Sequence, residues 1–97
     1  MKNAKLNVRL NKVENMQSSN GNDVPNQFLI TTKDGVYFQS YSSIIAFRPN
    51  EGPIELDREY WDYSKTTGKY RNQFLGKDKK RTLKAIASGQ IILTNLN

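Results

Sequence analysis

The sequence predicts an α+β protein: an antiparallel β-sheet meander packed on one face by two short helices, with a C-terminal strand. Three observations predict it. Apolar and polar residues alternate early in the chain, at Leu6, Val8 and Leu10 against Asn7, Arg9 and Asn11. An Asp34-Gly35 pair separates two β-rich runs in QFLITTKDGVYFQSY. After Ser64 the period changes, because Tyr70 and Phe74, and Arg71 and Leu75, stand four residues apart as on a helix.

Each element follows in order. KLNVRLNKV has half its positions apolar at period two, which reads as a strand with one wet face. ENMQSSNGNDVPN is rich in Asn, Ser and Gly and has no period, which reads as a mobile loop over about residues 14–26. The runs on either side of Lys33-Asp34-Gly35 form a hairpin, since glycine accepts positive φ cheaply. Tyr37 and Tyr41 share one face of its second strand, with Ile45 and Phe47 continuing the parity. SIIAF is a further strand, RPNEG a turn and PIEL a short strand, so the meander has about four strands. Ser64 is an N-cap, and the helix runs from about Lys65 to Leu75. Tyr70 and Phe74 turn toward the sheet beside Trp61, while Lys65, Lys69 and Asn72 point outward. Gly68 weakens this helix by about 1 kcal/mol, and Gly76 ends it. Asp78 caps a second helix with Leu83, Ile86 and Ala87 inward and Gly89 as its stop. QIILTNL closes the chain as a strand.

Composition narrows the chemistry. Ninety-seven residues support one small domain. The chain has no cysteine and no histidine. Disulfides, thiolate metal sites and Cys nucleophiles are excluded, as is the commonest general base. Only carboxylates, Lys and Tyr remain for catalysis, so the expectation is a non-enzymatic binding module without metal or cofactor. MKNAKLNVRLNKVENMQ lacks the continuous apolar core of a signal peptide. No stretch approaches the roughly 20 apolar residues of a membrane span. The expectation is a cytoplasmic protein, monomeric or homodimeric, that meets no membrane.

The acids that exist are clustered. Glu51, Glu55, Asp57, Glu59 and Asp62 face only Arg58 in their segment. Glu55, Asp57 and Glu59 share a face of a strand. They read as a solvated acidic edge that discourages strand pairing, rather than as a metal or acid–base set. Gly68-Lys69 is not a phosphate loop. Tyr63 stands where that loop needs its first glycine, and Tyr70 follows the lysine.

The bases are clustered too. The net charge is +6, and between Lys65 and Lys84 eight cations face only Asp78. Lys77, Lys80, Arg81 and Lys84 follow i, i+3, i+4, i+7, which aligns them on one helical stripe. Like charges at that spacing repel by a few tenths of a kcal/mol per pair. A polyanion would relieve the repulsion. With Lys65, Lys69 and Arg71 they form the candidate binding set, and nucleic acid is the expected partner.

A longer pattern supplies context. Ser40, Tyr41, Ser43, Ile45 and Ala46, followed by Tyr63, Ser64, Thr66, Thr67, Tyr70, Phe74 and Leu75, resemble the shared pattern of a family of small proteins encoded by tailed phages and mobile elements. The resemblance covers about Phe28 to Asn97. Many relatives carry His where Tyr70 stands. The resemblance implies a host-directed or genome-associated accessory protein. It also opens a second reading, a protein inhibitor of a host defence enzyme. Such an inhibitor would act in an anti-CRISPR or anti-restriction role, by direct contact with a nuclease or CRISPR-type complex. The net charge argues against wholesale DNA mimicry, which demands a strongly acidic protein.

Overall fold

The strand signals of the first half fold into one continuous sheet. A computed structural model describes residues 10–97. The elements are β1 (Leu10–Gln17), β2 (Asp23–Thr32), β3 (Gly35–Ser40), β4 (Ser43–Pro49), β5 (Ile54–Asp57), α1 (Lys65–Leu75), α2 (Lys79–Ser88) and β6 (Ile91–Thr94). Strand order in the sheet follows chain order from β1 to β6. The first five strands pair antiparallel, and β6 pairs with β5 parallel. A parallel pair needs a crossover connection, and α1 and α2 form it.

The caps expected from the sequence are in place. Ser64 accepts a hydrogen bond from the Thr67 amide, and Asp78 accepts one from the Arg81 amide. Gly76 and Gly89 end the two helices in the left-handed region. Gly35 opens β3 at φ +149, and any Cβ there would overlap the Arg48 carbonyl oxygen and crowd the Phe47 ring. Both the turn and the close approach of β4 therefore require glycine.

Most of the core lies between the sheet and the helices. Phe38, Ile45, Ala46, Leu56 and Ile91 from the sheet meet Tyr70, Phe74, Leu75 and Ala85 from the helices. Trp61 packs against this cluster at its margin, and the Phe38 and Phe74 rings stack 5.8 Å apart. Each such side chain contributes roughly 1.5–3 kcal/mol through burial. The other face of the sheet holds a smaller cluster of Ile30, Tyr37, Ile44, Phe47 and Leu96. Asn97 closes its margin. Its amide oxygen accepts from the Ile44 N–H at 2.8 Å and its amide nitrogen donates to the Ile44 carbonyl at 2.9 Å.

Four expectations are corrected. The segment expected as a loop over about 14–26 is the end of β1, a turn at 18–22 and the start of β2. Its polar composition hid two core residues, Met16 and Val24, and the turn is closed by Ser18 and Asn22. Neither Tyr41 nor Ile45 continues the parity of Tyr37 and Phe47, and Tyr41 lies beyond β3, in the turn that follows Ser40. A bulge in the β3–β4 pairing turns Ile45 toward the helices beside Ala46, while Tyr37 stacks on Phe47 at 4.2 Å. On α2 the inward positions are Thr82 and Ala85, with Ile86 packed beside them, whereas Leu83 and Ala87 are exposed. Thr82 can face inward because its hydroxyl is satisfied within the helix, donating to the Asp78 carbonyl at 2.9 Å. Finally, β5 is flanked by β4 and β6, so it forms no acidic edge. Leu6 and Val8 of the first expected strand lie outside the described residues.

Candidate functional site

The start of α1 is where distant parts of the chain converge. Thr67 is fully buried and has two partners. Its amide donates to the Ser64 hydroxyl at 3.1 Å, and its own hydroxyl lies 2.9 Å from that of Ser40. These contacts join the two halves of the sequence pattern, Ser40-Tyr41 and Tyr63-Ser64-Thr66-Thr67. Beside Ser40, Tyr41 sits at φ 55, and its amide donates to the Asn26 carbonyl at 2.7 Å. Asn26 is itself at φ 66. Tyr41 and Tyr63 remain 46% and 51% exposed. Lys65 and Lys69 are exposed on the same helix, with the Lys69 ammonium 5.3 Å from the Tyr70 ring centre.

One member of the predicted cation set is not at the surface. Arg71 is 1% exposed. Its guanidinium donates to the Trp61 carbonyl at 2.8 Å, to the Asp62 carboxylate at 3.0 Å and to the Asn72 side chain, and it lies 5.1 Å from the Trp61 ring. Helical position decides this. Arg71 follows Thr67 by four residues and shares its sheet-facing stripe. Arg71 is therefore a structural cation, and its place in the binding set is withdrawn. Asp62 also holds Lys79 at 2.7 Å, so one carboxylate ties α1 to the first turn of α2. Partial burial works to raise the Asp62 pKa. The hydrogen bonds and charges of Lys79 and Arg71 outweigh it and hold the carboxyl below its usual range.

The remaining cations are Lys80, Arg81 and Lys84, exposed on α2, and Lys77, half-buried ahead of its cap. Both helices bury one side on the same face of the sheet. Their opposite sides therefore look outward together, and Lys65, Lys69, Lys80 and Lys84 belong to one outer layer. Among the described residues, these four and Arg81 make no ion pair.

The acids do not converge. Asp57 is buried, and its carboxylate accepts from the amides of Glu59, Tyr60 and Leu96. It holds the chain as it leaves β5, so the expected solvated role does not apply to it. Glu59 is exposed, and Glu55 is half-buried on β5. No group of three or more His, Cys, Asp or Glu able to hold a metal occurs among the described residues. A groove of about 340 Å³ between β1 and α1 is lined by Met16, Leu29, Val36 and Phe74 with Glu14 and Arg48. Among the described residues no third titratable group lines it.

A family model matches residues 11–92, from β1 into β6. The chain belongs to the family of unknown function DUF8033. No curated protein and no solved structure matches it. The DUF8033 span contains the whole Ser40–Thr67 junction, the Asp62 clamp and both helices.

Sequence reasoning missed Asp62 and Asn26. Asp62 carried a signal, since it stands just before the first helix and nine residues before Arg71. Asn26 carried only a weak one. Asparagine tolerates the left-handed region, but a Pro-Asn pair in a polar stretch reads first as a loop.

Proposed function

We propose that the chain is a non-enzymatic binding module that engages nucleic acid, or a complex that carries it, through the outer layer of its two helices. The observation that carries this reading is the division of the cations. Arg71 and Lys79 are both paired with Asp62, while Lys65, Lys69, Lys80, Arg81 and Lys84 stand exposed and unpaired among the described residues. The likeness to phage and mobile-element proteins supports an accessory role beside a genome.

Salt dependence tests the reading. If about five cations meet phosphates, log K on duplex DNA falls against log salt with a slope of about −4 to −5. The Lys80→Glu, Lys84→Glu pair should weaken binding to all sequences alike and flatten that slope by about 2. A flat slope, or no binding at low salt, would overturn the reading. Capture from lysate separates the alternative. A protein partner that persists after nuclease treatment would move the assignment to inhibition of a host enzyme by direct contact.

A further inference from the structure

Resting on that reading, we infer that Tyr41 and Tyr63 are stacking contacts for unpaired bases, so that the preferred ligand is a single strand crossing the start of α1.

The starting point is an unfavourable choice of residue. Tyr41 occupies φ 55 at the head of the β3–β4 turn. Glycine and asparagine adopt that conformation at little cost, and an aromatic residue does not. The backbone conformation is set by the turn, because Tyr41 and Ser42 alone join the paired residues Ser40 and Ser43 and such a two-residue hairpin needs positive φ at its first position. The Tyr41 amide is held by the Asn26 carbonyl, and its carbonyl accepts from the Gln39 side chain at 2.7 Å. The residue is 46% exposed, so packing does little to offset the strain. Its neighbour in type, Tyr37, is 3% exposed and stacked on Phe47, as a core tyrosine should be. Strain kept under an exposed ring is a mark of function rather than of stability.

Position supplies the rest. Thr67 touches Ser40, which precedes Tyr41, and it touches Ser64, which follows Tyr63. Both exposed tyrosines are thus one residue from a partner of the same buried threonine. The Tyr63 ring is braced edge-on against Tyr60, with centres 5.6 Å apart. Two exposed rings therefore flank the beginning of the helix that carries Lys65 and Lys69. Rings take the flat faces of bases, and ammonium groups take the phosphates between them. Bases present those faces only when unpaired, so the arrangement selects single strands over duplex.

The probe is a fluorescent single strand of about 12 nucleotides, with a duplex of equal length beside it, followed by anisotropy at low salt. The native protein should bind the single strand more tightly. Tyr41→Asn removes the ring while suiting the backbone. It should lose on the order of tenfold on the single strand, leave duplex binding unchanged, and keep or raise the melting temperature. Tyr63→Ala should act in the same direction. A Tyr41→Asn protein that binds the single strand as tightly as the native chain would overturn the inference and leave the helical surface standing. Native binding to duplex alone would do the same. No binding to either probe would sink both. A Tyr41→Asn protein that loses a nuclease-resistant protein partner instead would assign the rings to a protein surface.

Discussion

Arg71 carries a full charge into the interior, and the residues around it explain how. Three acceptors take its donors, and the Trp61 ring lies alongside the guanidinium. Gly68 lies next to it on the helix. A Cβ there would meet the Arg71 guanidinium at 3.6 Å, an ordinary van der Waals distance. Glycine costs about 0.5–1 kcal/mol relative to alanine within a helix. Gly68→Ala should therefore stabilise the protein by about that amount, read as a rise of a few degrees in Tm. A fall would show that the guanidinium cannot yield even slightly. Gln27 is the opposite case. Its amide is fully buried, and neither end has a hydrogen-bond partner among the described residues. Each unpaired group there costs about 1–3 kcal/mol.

At the scale of elements, Asp62 pairs with a cation of each helix, Arg71 of α1 and Lys79 of α2. Asp62→Ala would leave the buried Arg71 with only the Trp61 carbonyl and the Asn72 side chain as acceptors and should cost about 1.5–3 kcal/mol. Lys79→Ala removes only an exposed partner and should cost less than about 1 kcal/mol. Thermal melts of the two variants would separate these values. The bridge also sets a pH dependence. The folded-state pKa of Asp62 is depressed, so its contribution is complete above the unfolded carboxylate pKa. That contribution is lost as pH falls through the lower, folded value. Asp62→Asn should remove that part of the acid-side decline in Tm. Much of this level was legible in the sequence. Ser64, Gly76, Asp78 and Gly89 marked both helices, because a cap is a local event written in a few residues. What was not legible depends on distant partners. The bulge at Ile45 arises from pairing with β3, and the rotation of α2 from its contact with the sheet. Arg71 and Lys69 are both cations of one helix. Only the direction of the sheet tells which is buried.

For the whole molecule, the feature with the widest reach is that strands lie in the sheet in the order in which they occur in the chain. Four of the five strand pairs are antiparallel neighbours in sequence, and the last, β5 with β6, waits for two helices to form. Loop closure is therefore cheap everywhere but at one step. That asymmetry divides the kinetics. The expected order is that the meander assembles before the barrier and β6 docks after it. Ile91, 3% exposed within the main core, then reports on the late step. Ile91→Ala should lose about 2–5 kcal/mol, expressed almost wholly as faster unfolding, with the refolding limb of the chevron nearly unmoved. An equal slowing of refolding would place β6 in the nucleus. If β6 does dock late, the lifetime of the folded protein is governed by its last strand, and the speed of reaching that state by its first five.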